Sequence, residues 1–175
     1  MTTCSVIIPA YNEEDFISKT LSNVKLAFEY CDIEGEIIVV DNNSDDSTAS
    51  LAKSHGAIVL HEPIQQIARA RNTGAKQASS NLLVFLDADT TLSGELLKCT
   101  LDAMAENRYV GGGVLLKLAD MEESQQKFVG MWNRFSLKMK LAAGCYIFCL
   151  KSSFELVGGF NEKIYASEEI WFVKR

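Results

Sequence analysis

The sequence predicts an α/β domain built on a parallel sheet covered on both faces, and three observations carry that prediction. Four short runs, 5–9, 36–41, 57–61 and 81–87, are rich in Val, Ile and Leu with almost no polar alternation, as in strands buried on both sides. Segments with helical spacing separate them. Polar clusters begin where the runs stop: "PAYNEE" after the first, "DNNSDDS" after the second and "DAD" after the fourth.

In chain order, "SVIIP" (5–9) is the first strand. From about Glu13 to Tyr30, residues Phe16, Ile17, Leu21, Val24 and Phe28 recur at helical spacing and predict an amphipathic helix. "EIIVVD" (36–41) is the second strand, after which Ser44 or Asp45 is expected to cap a helix that Gly56 ends. "AIVLH" (57–61), a helix over 67–79 and the strand "NLLVFLD" (81–87) follow. A helix is then predicted from Ser93 to Glu106, and a strand over 109–118 whose glycines invite a close approach by ligand or backbone. Over 122–143, Phe128, Trp132, Phe135 and Met139 form one stripe, with Lys127, Arg134, Lys138 and Lys140 among or beside it. The expected reading is a helix that covers the core and keeps a solvated basic side. The alternative is a surface touching a membrane or a lipid-linked acceptor. "CYIFCLK" (145–151) is the last predicted strand. With no repeat, low-complexity tract or Pro-rich linker, the 175 residues read as one domain.

Composition narrows the function classes. Apolar residues make up 47% and charged residues 23%, a globular balance, and the net charge of -6 leaves no basic stripe for a nucleic-acid partner. The five cysteines are scattered without a C-x-x-C pair, which argues against zinc and disulfide frameworks and for a reducing compartment. The N-terminus enters "CSVIIPAYNEE" directly, so no leader is expected, and no apolar run reaches the ~18 residues of a membrane span. A cytoplasmic protein is expected, with 122–143 as the place of any membrane association. No G-x-G-x-x-G follows a strand and no G-x-x-x-x-G-K-[ST] occurs, which argues against dinucleotide oxidoreductases and P-loop enzymes.

The fourth strand runs straight into two carboxylates, Asp87 and Asp89, with Ala88 between them. On an extended chain both side chains would share a face, where each resists ionisation of the other. A divalent cation with oxygen ligands, or a reaction using both groups, removes that objection.

The segments "VIIPAYNEE", "EIIVVDNNSDDST", "IARARNTGAKQASSNLLVFLDADT" and "FELVGGFNEKIYASEE" stand in the order found in family 2 glycosyltransferases, which the chain resembles over nearly its whole length. The resemblance implies a GT-A fold, a Rossmann-like, mostly parallel central sheet flanked by helices. It also implies transfer of a sugar from a nucleotide-sugar donor, UDP favoured and GDP second. Mg²⁺ or Mn²⁺ would sit on the diphosphate, and the sugar would invert on its way to a saccharide or lipid-linked acceptor. Residues 1–90 would form the nucleotide-binding half and 91–175 the acceptor-side half. By position, Pro9, Ala10, Tyr11 and Glu13 match the loop that holds the nucleoside. Asp41 matches the carboxylate that reads the base, with Asn43 and Ser44 beside it, and Arg71 a basic residue lining the nucleotide site. Asp87 and Ala88 match the start of the D-x-D motif near the ribose, and Asp89 its metal ligand. Glu169 stands where the family more often has an aspartate base, with Glu168 as its substitute.

The extra methylene of Glu169 shifts the carboxylate's reach, and the chain ends six residues later, earlier than the family usually does. The chain therefore reads as either a piece of a longer enzyme or a reduced one, and a catalytically inactive nucleotide-sugar binder is the first alternative. The second is a haloacid-dehalogenase-type phosphatase, with Asp87 as nucleophile, Asp89 as acid/base and Thr91 after them. It fits the motif locally but would place it on the fourth strand instead of the first.

Overall fold

The computed structural model describes residues 3–106, 108–115, 123–139, 142, 144–165 and 168–174. Its strands are β1 (Cys4–Ala10), β2 (Gly35–Asp41), β3 (Ile58–His61), β4 (Leu82–Leu86), β5 (Gly111–Gly113) and β6 (Tyr146–Leu150). They form one six-stranded sheet in the order β3-β2-β1-β4-β6-β5. The four predicted apolar runs are its parallel part, with Ala10 opposite Asp41 and Ile7 opposite Phe85. β6 reverses direction and pairs antiparallel with β4, Leu86 opposite Tyr146. This reversal brings the segment entering β6 to the sheet edge where β1, β2 and β4 end, and Asp87 N–H donates to the Cys145 carbonyl at 3.1 Å.

Alternation within each strand sends side chains to two cores. Val6 and Ile8 of β1, Val39 of β2 and Val84 and Leu86 of β4 pack on one face with Ile17, Leu21 and Val24 of α1 (Ile17–Cys31), Ala52 of α2 (Thr48–Ser54) and Leu97 of α4 (Gly94–Ala105). Ile7, Ile38, Val40, Leu83 and Phe85 pack on the other with Ala68 and Ala75 of α3 (Ile67–Gln77), Phe154 of α6 (Lys151–Val157) and Phe172 of α7 (Glu168–Val173). An aromatic cluster fills this second core: the Phe85 ring meets Phe160 edge-on at 5.0 Å, and Phe160 stacks on Phe172 at 4.4 Å.

Several boundaries differ from the sequence reading, each for a tertiary reason. α1 starts at Ile17 instead of Glu13, because residues 12–14 are held by the first residue of α2 and the loop before it: Glu13 N–H donates to Thr48 Oγ1 at 2.8 Å and Glu14 N–H to Asp46 Oδ2 at 3.1 Å. α2 starts at Thr48, whose N–H donates to Asp46 Oδ1, so neither Ser44 nor Asp45 caps it; Gly56 does follow the helix with a φ of 74°. The strand predicted over 109–118 narrows to β5, with 116–118 outside the described residues.

The core-covering reading of 122–143 is also corrected. α5 (Glu123–Met139) is a helix, but Met131, Trp132, Phe135, Leu137 and Met139 on it are exposed, and among its described side chains only Ser136 is buried. The other helices already cover both sheet faces. Phe128 and Lys140 lie outside the described side chains. Among the described residues no helix is long and apolar enough to cross a membrane.

The seating of α3 depends on Gly74, where an added Cβ would run into Ile7 Cγ2 of β1 and approach Val40 Cγ2 of β2 to 3.1 Å. Gly74→Ala is expected to destabilise the fold by about 1–3 kcal/mol, the usual scale of overpacking, despite the better helix propensity of alanine. Chemical denaturation checks this; a neutral or stabilising change would show that α3 can ride outward.

Candidate active site

A cleft of about 420 Å³ opens at the carboxyl ends of the parallel strands, the usual place for ligands in such sheets. Its lining comes from Pro9 and Ala10 at the end of β1, Tyr11 and Glu13 after it, and Asp87, Ala88 and Asp89 after β4. Asn42, Gln65, Gln66, Ile67 and Tyr165 complete it.

The two aspartates sit on a turn beyond the strand end, and both line the cleft. β4 stops at Leu86, and Thr90 N–H closes a turn onto the Asp87 carbonyl at 3.0 Å. Asp87 points inward: its Oδ1 accepts from Arg71 Nη2 at 3.0 Å. Asp89 remains exposed in the cleft. Burial raises the Asp87 pKa above its ordinary value; Arg71 opposes the shift, while Asp89 and Glu169 add to it. Burial also raises the Glu13 pKa, helped by the charges of Asp89, Asp87 and Asp46. The cleft wall therefore carries carboxylates that resist sharing their ionised state.

Arg71 does not line the cleft. Its side chain is 2% exposed, lying behind Asp87 on the inner face of α3. Nη1 donates to Glu168 Oε1 at 2.6 Å, and Nη2 donates also to the Gly144 carbonyl at 3.0 Å. Any effect of Arg71 on a nucleotide would pass through Asp87. Glu168 is consumed by this pair and only 3% exposed, whereas the neighbouring Glu169 is half-buried. Glu169 lies beside Gly144, where a built Cβ would stand 3.3 Å from its Cγ.

Asp41, Asn43 and Ser44 also lie outside the cleft lining. Asp41 is buried at the end of β2, with Oδ1 accepting from Ser44 N–H at 3.2 Å and Oδ2 3.3 Å from His61 Nδ1. Asn43 adopts a left-handed φ of 66°, and Ser44 Oγ accepts from Asn12 N–H at 3.0 Å, so this turn and the β1 loop shape one another.

The residues that sequence reasoning missed stitch loops together at the cleft. Asn42 Oδ1 accepts from Gln66 N–H at 2.9 Å, while its Nδ2 donates to the carbonyl of Ile64 at 2.6 Å. Gln66 Nε2 donates to the Glu162 carbonyl at 2.6 Å and the Ile164 carbonyl at 3.2 Å, fixing the loop that ends in Tyr165. Asn42 lay within "DNNSDDS", and the strand-end rule applied to "AIVLH" would have reached Gln65 and Gln66. Tyr165 had no comparable sequence signal.

The chemistry of the cleft suits a hard cation: Asp87 and Asp89 offer oxygen donors, and their repulsion is what a bound cation relieves. Among the described residues no three His, Cys, Asp or Glu side chains converge into a closed metal site. A cation here would draw its remaining ligands from a bound anion or water. The cysteines are remote from such a role. All five are unpaired, and burial pushes the Cys4 and Cys149 thiols up to about 12, where a thiolate ligand or nucleophile is out of reach.

The sequence profile of glycosyl transferase family 2 matches residues 5–153. The chain belongs to that family. The match leaves the phosphatase alternative without support. Glycosyltransferase AglE of Haloferax volcanii is 30% identical over 98% of this chain and 60% of its own length. The chain thus spans less than two thirds of that relative. Among solved structures, Staphylococcus aureus TarS 1-349 superposes with a TM-score of 0.79 at 21% identity, covering 98% of this chain and 54% of that one. The Pyrobaculum calidifontis mannosyltransferase PcManGT, in complex with GDP-Man and Mn²⁺, superposes at 0.76 and 21% identity, over 95% of this chain and 49% of that one. These likenesses give the GT-A fold.

Asp87 and Glu13 are carboxyls whose pKa lies above the ordinary value. Their protonated forms therefore favour the fold below the ordinary carboxyl range, and that contribution is lost as pH rises through the raised values. Asp89→Asn removes a like charge from both, so in EDTA at neutral pH it is expected to raise the melting temperature by about 2 °C. The gain should fade as pH falls through the raised values of Asp87 and Glu13 and these neighbours protonate. A difference independent of pH in thermal melts would detach Asp89 from this cluster.

Proposed function

We propose that this chain is the donor-binding and catalytic part of an inverting hexosyltransferase that uses a nucleoside-diphosphate sugar, with UDP-sugar favoured over GDP-sugar. The observation that carries this reading is the cleft itself, which is lined by the end of β1 and its following loop, the Asp87–Ala88–Asp89 turn, and exposed Tyr11 and Tyr165. The loop Pro9–Ala10–Tyr11 with Glu13 holds the nucleoside, and the tyrosine faces offer stacking surface to a base. Asp41, with Asn43 and Ser44, sets the turn that reads the base edge, and Asp87, held by Arg71, faces the ribose. Asp89 would hold Mg²⁺ or Mn²⁺. When bound, the cation supplies electrostatic stabilisation to the charge on the departing diphosphate. Support for this donor class comes from relatives of the same fold: PcManGT was solved with GDP-Man and Mn²⁺, and TarS with UDP-GlcNAc.

Glu169 is the general base in this reading. The acceptor hydroxyl attacks the anomeric carbon from the side opposite the leaving diphosphate, the sugar inverts, and the hydroxyl proton passes to the Glu169 carboxylate. Glu168 is unsuited to that role because it is buried against Arg71. Glu169→Gln is expected to retain nucleoside-diphosphate affinity and lose about 10²–10⁴ in transfer rate. Transfer at the parent rate would remove Glu169 from the chemistry, and a product of retained configuration would discard inversion. Binding without any transfer, in the parent or a longer chain, would favour the inactive binder.

The acceptor side of the reading includes α5. Its exposed Met131, Trp132, Phe135, Leu137 and Met139 lie among exposed Lys127, Arg134 and Lys138, an apolar and basic surface suited to an anionic lipid interface and a lipid-linked acceptor. Sedimentation with vesicles containing anionic lipid should pellet the protein, and Trp132→Ser with Phe135→Ser should release at least about 1–2 kcal/mol of that binding. Equal pelleting of both proteins would take α5 out of the contact.

A further inference from the structure

We infer that Arg71 and Glu168 form a buried positioning pair that fixes where the Glu169 carboxylate stands relative to Asp87. The inference rests on the reading of Glu169 as base and adds what places it. One guanidinium reaches three separate chain segments: Glu168 at the start of α7, Asp87 after β4, and the Gly144 carbonyl before β6. It also lies over the Phe160 ring, 5.2 Å from its centroid, so packing as well as hydrogen bonding fixes its plane.

Neighbouring residues of a helix project roughly 100° apart. With Glu168 turned into the protein toward Arg71, Glu169 is forced onto a different bearing. It lands against Gly144, the residue whose carbonyl Arg71 also holds: a Cβ there would stand 3.3 Å from Glu169 Cγ and 3.4 Å from its Cδ. Arg71 thus controls Glu169 from both sides, through the adjacent residue and through the backbone beneath it. The same guanidinium anchors Asp87, so the cleft-lining Asp87 and the segment carrying Glu169 share one reference point. Burial raises the Glu168 pKa despite Arg71, in keeping with a group placed to hold structure in the interior.

The test uses two substitutions that a base and a positioning residue answer differently. Glu168→Gln keeps an oxygen that accepts from Arg71 Nη1, whereas Glu168→Ala removes it. Positioning predicts that Glu168→Ala lowers kcat about 10²-fold with little change in nucleoside-diphosphate affinity in the presence of Mn²⁺, and that Glu168→Gln recovers most of the loss. Equal loss in both would make Glu168 itself the base and overturn the inference; parent-like kcat in Glu168→Ala would overturn it as well.

Two further measurements keep the test independent of folding and of activity. Gly144→Ala leaves the buried ion pair intact but pushes on Glu169, and is expected to lower kcat about 10-fold at unchanged donor affinity; parent-like turnover would count against the arrangement. In a Trp132→Phe background Trp171 of α7 is the remaining tryptophan. Its emission should shift in Glu168→Ala and return in Glu168→Gln. If the parent transfers no sugar, the proposed function fails, yet this emission still decides whether the pair holds α7: three identical spectra would refute it.

Discussion

A buried guanidinium is tolerable only when its charge is answered on the spot, and Arg71 imposes that demand on this fold. Removing one partner from a buried ion pair typically costs about 3–5 kcal/mol, because the charge left behind has neither water nor counter-charge. Arg71 draws Glu168 and Asp87 to itself with hydrogen bonds of 2.6 and 3.0 Å and takes the Gly144 carbonyl as a third acceptor. Segments far apart in sequence are thereby tied to one point on α3. The depth of that point is set by packing, since α3 approaches β1 and β2 across Gly74.

The rest of the cleft is organised by a second line of polar contacts along α3. Gln66, Arg69 and Asn72 all reach the loop between α6 and α7: Arg69 Nη1 meets Glu162 Oε2 at 2.9 Å, and Asn72 exchanges hydrogen bonds with Phe160. Asn42 connects the end of β2 to the same helix start. The reversed strand β6 completes the arrangement. Because β6 runs against β4, the residues entering it share an edge with the residues leaving β1 and β4, and the cleft is walled by both kinds of end.

The sheet was legible because its four parallel strands are apolar throughout and interrupted by polar strand ends. The candidate cleft was legible for the same reason: Pro9, Tyr11, Glu13, Asp87 and Asp89 sit where the strands stop. What the sequence concealed was set by contacts made at long range. The start of α1 yields to hydrogen bonds with Ser44, Asp46 and Thr48 more than thirty positions away, which no local pattern encodes. Arg71 was legible in principle, since Ala68, Arg71, Asn72 and Ala75 fall at the spacing of one helix face and are all buried. A charge on an otherwise small, uncharged stripe announces an interior partner, and the acidic residues of "DAD" and "SEE" were the available ones. The exposure of α5 had no such signal, because its stripe is compatible with covering a sheet face until both faces are seen to be occupied.

The carboxylates of the cleft are too few to enclose an ion by themselves among the described residues. A cation held there would be completed by whatever anion shares the cleft, and that anion would be held partly by the cation. Their affinities are then thermodynamically linked: the factor by which one tightens the other must be the same in both directions. Each alone would bind weakly, and occupancy would respond steeply to their joint presence. On this arrangement, release would also be a joint event, in which loss of either component loosens the other.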